Sequence, residues 1–177
     1  MRRHSLTHNI LLAAVMVAAT GCTARDRGGN SGAAPSATKD SVGDADDRRG
    51  IEQTLSAYNT ALNGGKTDAV IPLYTADGVF MPPYSSSAVG PQAIRKAYDA
   101  VFRELKFDVR FNVAELVQMA PGWAYVRTNS AGTTRHASSG KTGAEANQEL
   151  FILRKADDGR WRIARYSFSP TNPPSRD

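Results

Sequence analysis

Few residues of this sequence have the types and spacings that enzymes use for chemistry. The 177 residues include three histidines and one cysteine, and no group of His, Cys or Asp has the spacing of a metal site. The sequence contains no glycine-rich phosphate loop and no serine in a nucleophile-elbow motif. His136 lies in a polar stretch, where a solvated side chain is favoured over a catalytic one. The sequence therefore predicts neither a metal nor a cofactor, and leaves tyrosine and carboxyl side chains as the candidates.

Tyr58 and Glu149 are the candidates for polar chemistry. Tyr58 lies on an apolar stripe with Leu55 and Leu62, so it is either a core residue or a residue that lines a pocket. Glu149 alternates with Phe151 along a predicted strand, and this pattern allows an inward position as well as an exposed one. If Glu149 is buried, we expect its pKa to be raised, because burial disfavours the charged carboxylate.

The charge balance argues against a nucleic-acid partner. The chain has 22 Lys and Arg against 17 Asp and Glu, a net charge of +5. Arg2 and Arg3 contribute to this excess but belong to the predicted N-terminal leader. The rest of the chain is close to neutral and its basic residues are not clustered, so the electrostatic footprint of a nucleic-acid-binding protein is missing from the sequence.

The first 43 residues are predicted to target and tether the protein. An apolar run from Ile10 to Ala19 is too short to span a bilayer and is typical of a signal peptide. Small residues lead to Cys22, the only cysteine, and resemble the bacterial lipobox, although Ala19 stands where leucine is usual. We expect a signal peptide with lipobox over residues 1–21, lipidated Cys22 as a membrane anchor, and a flexible tether over residues 22–43. The protein would then be an exported lipoprotein of the bacterial cell envelope, on its periplasmic or outer face; the alternative is an ordinary secretory peptide.

Hydrophobic periodicity predicts helices first and strands afterwards. From Asp44 onward, apolar residues recur every three or four positions, and beyond Leu105 the period changes to two. The stretch from Gly132 to Gly143 is predicted to be a polar loop. The predicted helices begin at Asp44, Thr67 and Gly90, and the predicted strands cover residues 79–81, 107–119, 123–131, 147–155 and 160–169. This order predicts an α+β domain with helices packed against one curved antiparallel sheet, followed by a disordered tail over residues 171–177.

Four short motifs resemble a known superfamily. They cover residues 58–68, 73–83, 90–94 and 158–163, and their order and spacing are similar to the nuclear transport factor 2-like superfamily. Within it, the chain resembles the SnoaL-like and SgcJ/EcaC-type groups, which are related to ketosteroid isomerases. The resemblance implies a cystatin-like roll over residues 44–170: a cone-shaped, curved antiparallel sheet packed on about three N-terminal helices. It also implies a pocket inside the cone and a homodimer, since many members dimerise through the sheet.

The resemblance also implies roles for single residues. In steroid-isomerising relatives, a carboxylate base moves a proton while a tyrosine and a protonated carboxylic acid hold the oxyanion. Tyr58 matches the tyrosine, and Glu149 falls near the position of the acid. The position of the base falls at about Pro83, beside Met81 and Pro82, and none of these accepts a proton. The oxyanion pair is therefore expected to be present while the general base is missing.

The residues near the expected pocket are mostly aromatic, which favours a small and largely apolar ligand. Arg127 and Asn129 share one strand face, which either lines the cone or faces solvent. The predicted ligand-binding residues are Tyr58, Phe80, Met81, Tyr84, Phe102, Arg127, Asn129, Glu149, Tyr166 and Phe168.

Three functions remain open at this point. The leading one is a lipid-anchored domain that binds a small apolar molecule without catalysis. The second is an isomerase, cyclase or hydratase that acts on a carbonyl compound through Tyr58 and Glu149. The third is an interaction module that uses the open face of the sheet.

Overall fold

The computed structural model describes residues 40–172, with side chains from residue 45 onward. The predicted signal peptide, Cys22 and residues 173–177 lie outside the described residues. The helices of the described part are α1 (Asp40–Asn63), α2 (Thr67–Val70), which a 3-10 turn (Ile71–Leu73) follows, and α3 (Gly90–Glu104). α1 thus begins four residues before its predicted start. Over residues 40–172, no helix has both the length and the apolarity needed to cross a bilayer.

Six strands form one sheet in the described residues. In spatial order they run β2-β1-β6-β5-β4-β3. The strands are β1 (Tyr74–Met81), β2 (Ala88–Val89), β3 (Leu105–Ala120), β4 (Trp123–His136), β5 (Thr142–Lys155) and β6 (Trp161–Pro170). The predicted α+β class is confirmed, but β1 runs parallel to β6. The sheet is therefore mixed rather than antiparallel throughout, because β1 arrives at the sheet from the helical half of the chain and not through a hairpin.

One face of α1 packs into the core. Ile51, Leu55, Tyr58 and Leu62 are all buried, which confirms the predicted apolar stripe. Each large side chain of this kind contributes roughly 1.5–3 kcal/mol when it is fully buried. The helix ends where Gly65 adopts a positive φ of 60°, a conformation that glycine reaches without strain. This conformation ends α1 just after Asn63.

Most of the predicted loop from residue 132 to 143 is strand instead. β4 continues to His136, and β5 begins at Thr142. Glycine at position 132 allows this continuation, because a Cβ there would clash with the carbonyl oxygen of Asp108 on β3. The Gly, Ser and Thr composition of this stretch is typical of loops, but here it permits close approach of two long strands.

The two faces of the sheet have different roles. Along β4, Ala124, Val126, Thr128 and Ser130 are buried and face the helices. The alternate residues of β4 lie on the outer face. Strand alternation therefore decides which side chains can reach the interior of the fold.

Candidate functional site

A cavity of about 120 Å³ lies between α1, α3 and the inner face of the sheet. Its walls come from both helices and from β1, β3, β4, β5 and β6, so that distant parts of the sequence meet there. The lining residues are Tyr58, Leu62, Phe80, Pro82, Tyr98, Val101, Leu105, Phe107, Val109, Phe111, Ser130, Glu145, Asn147, Glu149, Tyr166 and Phe168. Most of these are aromatic or aliphatic, and the polar ones are concentrated on β5 and the adjacent part of β4.

Stacked aromatic rings form the walls of the cavity. The ring of Phe80 stacks on Tyr98 with centroids 4.8 Å apart and on Tyr166 at 5.6 Å. Tyr58 stacks on Phe111 at 5.8 Å. Such packed ring pairs fix one another's orientation and add to the energy of burial. The cavity is therefore bounded by a wall of mutually packed rings.

Tyrosine hydroxyls form a buried chain behind this wall. The Tyr58 and Tyr98 hydroxyl oxygens are 2.6 Å apart, and those of Tyr98 and Tyr74 are 3.0 Å apart. Burial raises the pKa of Tyr58, Tyr74, Tyr98 and Tyr166, so all four phenols are neutral at physiological pH. Tyr58 is therefore a core residue that also lines the cavity, so both of the alternatives predicted from its sequence position hold.

Glu149 is a buried carboxyl group on the inner face of β5. It is only 4% exposed, and its Oε2 accepts a hydrogen bond from Thr128 Oγ1 at 2.5 Å. Burial raises the pKa of Glu149, and the hydroxyls of Ser130 and Thr128 oppose this shift only in part. Of the two positions that the sequence pattern left open for Glu149, the structure has the inward one.

Two further polar residues on β5 complete this row. The Nδ2 of Asn147 donates to Glu145 Oε1 at 2.8 Å and to Ser130 Oγ at 3.4 Å. Glu145 Oε2 accepts from Thr134 Oγ1 at 2.9 Å. The Oδ1 atom of Asn147 is buried and has no hydrogen-bond partner in the described part of the chain.

Sequence reasoning missed Glu145 and Asn147. The predicted strand began only at Asn147, and the residues before it were not assigned to the sheet. Periodicity offers no signal for them, because Glu145 and Asn147 are polar and the residues between and beside them do not complete an apolar–polar alternation. Glu145 also bears on the missing general base. Pro82, which lies next to the expected position of the base, lines the cavity and accepts no proton, but Glu145 on β5 supplies a carboxyl group to the same cavity.

The structure brings five of the predicted ligand-binding residues together around the cavity: Tyr58, Phe80, Glu149, Tyr166 and Phe168. They come from α1, β1, β5 and β6. Each occupies the side of its element that faces the interior.

Arg127 and Asn129 lie on the outer face of β4, which corrects the expectation that they line the cone. Both are exposed, and the Arg127 Nε donates to Glu115 Oε2 at 2.6 Å. Tyr125, on the same face, donates its hydroxyl to Glu115 at 3.0 Å. The strand alternation was predicted correctly, but it did not reveal which of the two faces meets the helices.

Three other predicted residues also lie outside the cavity lining. Tyr84 is fully exposed and has a positive φ of 59° in the turn between β1 and β2, so its ring points away from the core. Met81 and Phe102 are half-buried. Phe102 packs behind Tyr98 at a ring distance of 5.5 Å, and thus supports the wall from outside.

A wider groove of about 680 Å³ runs along the surface near the β3–β4 turn. Its polar groups hold the fold together: Asp47 accepts hydrogen bonds from Lys155 at 2.7 Å, from Trp161 at 3.1 Å and from Gln118 at 3.1 Å. We therefore place the candidate site in the smaller aromatic cavity. Among residues 40–172, no group of three or more His, Cys, Asp or Glu side chains is arranged to hold a metal ion.

The profile of the SnoaL-like domain family matches residues 43–167, a segment that contains every residue of the cavity except Phe168. The chain belongs to the SnoaL-like domain family. This confirms the resemblance to the nuclear transport factor 2-like superfamily that the four sequence motifs indicated. Among the curated proteins, none matches this SnoaL-like chain significantly.

Solved structures support the same assignment of the SnoaL-like domain. A ketosteroid isomerase-like protein from Erwinia carotovora atroseptica is 41% identical, over 70% of this chain and 95% of its own, with a TM-score of 0.67. A putative scytalone dehydratase from Novosphingobium aromaticivorans is 17% identical over 75% of this chain and 89% of its own, with a TM-score of 0.65. A hexachlorocyclohexane dehydrochlorinase from Novosphingobium barchaimii is 11% identical over 75% and 91%, with a TM-score of 0.68. The last two share the fold.

Proposed function

We propose that this SnoaL-like domain binds a small, largely apolar molecule in its aromatic cavity. The observation that carries the proposal is a cavity walled by stacked rings, with most of its other polar groups on β5 and the adjacent part of β4. Ligand sites of proteins combine these two features, since apolar walls supply affinity and convergent polar groups supply orientation.

The volume of the cavity limits the size of the ligand. At about 120 Å³, it is close to the roughly 150 Å³ of an engineered apolar cavity that binds benzene. Drug-sized ligands need about 300–1,000 Å³. We therefore propose a ligand of one ring, and not a fused-ring molecule of the size of a steroid.

A cavity-filling substitution tests the proposal. Val101 lines the cavity from α3, so Val101→Phe would fill the space that a ring occupies. Val117, which pairs with Tyr125 on the outer face, provides the matched control Val117→Phe. Thermal unfolding is recorded with toluene, ethylbenzene, naphthalene and a steroid; ligand at 100 times its Kd stabilises a protein by about 2.7 kcal/mol.

We expect the single-ring compounds to raise the Tm of the wild type and of Val117→Phe, and to have no effect on Val101→Phe. No Tm shift with any ring compound would refute the proposal, and so would equal responses of the two variants.

A second candidate function is an isomerase or dehydratase type of reaction on a carbonyl compound. The buried, inward position of Glu149 favours it, because a carboxylic acid that stays protonated can donate a hydrogen bond to a developing oxyanion. Tyr58 would be the second donor. The names of the similar structures, an isomerase-like protein and a putative dehydratase, support this class. A phenolate that mimics a dienolate should bind the wild type, and Tyr58→Phe should bind it more weakly; equal binding would exclude this version.

We also propose export and membrane anchoring through lipidated Cys22. The apolar run from Ile10 to Ala19 and the position of the only cysteine support it. An anchored domain would meet its ligand in the cell envelope.

A homodimer through the outer face of the sheet is proposed as well. The side chains of Val117 and Leu150 are exposed there by 36% and 41%, beside Tyr125. Light scattering at high protein concentration should detect the dimer, and Leu150→Glu should dissociate it. A monomer in the wild type would refute this assembly.

A further inference from the structure

The aromatic cavity has a buried end and an end that solvent reaches. Tyr58, Phe80, Tyr98 and Tyr166 line it and are buried. Other lining side chains are only half-buried, which indicates that they lie near the opening. These half-buried lining residues are Pro82, Val101, Leu105, Phe107, Phe111, Glu145 and Phe168.

The segment between β1 and β2, residues 82–87, begins at this opening. Pro82 is one of the half-buried lining residues, and Phe80, two positions earlier on β1, lines the cavity as well. Side chains two positions apart on an extended chain point to the same side. If the chain continued in an extended conformation, Tyr84 would therefore follow Phe80 and Pro82 as the next side chain at the cavity.

Tyr84 does not cover the opening in this structure. Its φ is 59°, and in the part of the chain that the structure describes it is the only residue other than glycine with a positive φ. The left-handed region is unfavourable for a bulky L-residue, because its Cβ comes too close to the following carbonyl oxygen. The ring is also 100% exposed, so no packing contact compensates for this backbone conformation.

The surroundings of Tyr84 allow it to change conformation. Residues 84–87 are all exposed, so a rotation of the backbone there breaks no packed contact of the core. Both ends of the segment are held: Pro83 restricts the backbone on one side, and Ala88 pairs with Phe80 in the sheet on the other. The segment is thus a short exposed turn between two fixed points at the opening of the cavity.

We propose that residues 82–87 form a lid, and that Tyr84 closes over the opening of the cavity when a ligand is bound. The inference rests on the proposed function and adds a moving part to the same site. A change of φ at Tyr84 from the left-handed to the extended region brings the ring to the side of Phe80 and Pro82. A bound apolar ligand favours this closed state, because it offers the ring a surface against which to pack.

Chemical labelling of Tyr84 tests the movement. N-acetylimidazole acetylates tyrosine hydroxyls that solvent reaches, and peptide mass spectrometry distinguishes the six tyrosines of the chain. The acetylation rates are measured on the wild type with and without saturating ethylbenzene, and the Tm is recorded on the same samples. Tyr125 is the internal control, because it lies on the outer face of β4 and does not line the cavity.

Ethylbenzene should slow the acetylation of Tyr84 about fivefold or more and leave the rate at Tyr125 unchanged. An unchanged rate at Tyr84, while the same ethylbenzene raises the Tm, would overturn the lid and leave the proposed function intact. Neither a Tm shift nor protection of Tyr84 would overturn both. Protection of Tyr84 that increases with protein concentration without ligand would place it in a contact between copies of the chain, and would also overturn the lid.

A substitution tests whether the ring of Tyr84 contributes to binding. Tyr84→Ala removes a side chain that is fully exposed without ligand, so the variant should fold normally. Its dissociation constant for ethylbenzene, measured by isothermal titration calorimetry, should rise about fivefold or more, because the ring no longer covers the ligand. Tyr84→Phe, which keeps the ring, should restore most of the lost affinity. Tyr125→Ala is the matched control; equal affinities of Tyr84→Ala and Tyr125→Ala would contradict the lid.

Discussion

At the scale of single residues, the chemistry of Glu149 depends on its buried surroundings. Its carboxyl group is buried and accepts a hydrogen bond from Thr128, and no Lys or Arg side chain within residues 45–172 forms an ion pair with it. Burial raises its pKa above the usual 4.5, so the folded protein binds this proton more tightly than the unfolded chain does. Folding stability is therefore linked to the pH at which Glu149 ionises.

The sign of this linkage gives the first prediction. Because the pKa of Glu149 is higher in the folded state, its contribution to the unfolding free energy falls as the pH rises from about 4.5, the unfolded value, through the folded pKa. Glu149→Gln keeps an acceptor for Thr128 and removes the ionisation. The variant should equal or exceed the wild type in stability at pH 8, and this advantage should vanish near pH 4.

Urea unfolding at a series of pH values measures this difference. Glu115→Gln is the control, because the bond from Arg127 lowers the pKa of Glu115 and gives it the opposite pH dependence. A Glu149→Gln variant that loses stability most strongly at high pH would contradict the assignment of a raised pKa.

At the scale of elements, the long strand pair β3–β4 positions the site. Gly132 lies opposite Val109, which lines the cavity. The Val109 carbonyl accepts from Asn63 Nδ2 at 2.8 Å, and its N–H donates to Asn63 Oδ1 at 3.0 Å. The close approach at Gly132 thus sets the distance between β3 and β4 at the point where α1 is bound to the sheet.

Substituting Gly132 should separate these strands. In Gly132→Val, the new side chain meets the Asp108 carbonyl and the Val109 backbone, so we expect a loss of at least about 1–3 kcal/mol in unfolding free energy. Gly143→Val, in β5, is the matched control, since a Cβ there has open space around it. Chemical denaturation measures both. Equal costs for the two substitutions would show that the contact at position 132 is unimportant.

The elements also show how far the sequence predicts this fold. The stripe of Ile51, Leu55 and Leu62 and the change of period at Leu105 arise from local burial, and both were read correctly. The parallel pairing of β1 with β6 depends on contacts between residues about 90 positions apart, such as Phe80 with Tyr166, which periodicity does not encode.

The candidate site, like the fold, was predicted only in part. Tyr58, Phe80, Tyr166 and Phe168 were predicted as lining residues because they are aromatic and lie near the expected pocket, and Glu149 because of the family resemblance; all five line the cavity. Arg127 and Asn129 were misplaced because alternation separates two faces without identifying the buried one. The close strand contact at Gly132 was not predicted, because the composition around it is typical of a loop. For the same reason the part of β5 that carries Glu145 was not assigned to a strand.

At the scale of the whole molecule, the part that the structure describes, residues 40–172, is a curled mixed sheet packed with three helices, with the aromatic cavity as the candidate site. We propose that lipidated Cys22 attaches this domain to a membrane of the cell envelope. Expression of Cys22→Ser should then shift the protein from the membrane fraction to the soluble exported fraction, while thermal unfolding of the folded domain stays unchanged, because Cys22 precedes the described residues. Membrane association that persists in Cys22→Ser would contradict the anchor.

The most direct test of the central claim is a crystal structure of the protein equilibrated with ethylbenzene. We predict a ring bound in the cavity, in contact with Tyr58 and Phe80, with its ethyl group directed along the inner face of β5. A cavity that remains without ligand at saturating concentration, or a ring bound only on the outer face of the sheet, would contradict the proposal that this SnoaL-like domain binds small apolar molecules inside its fold.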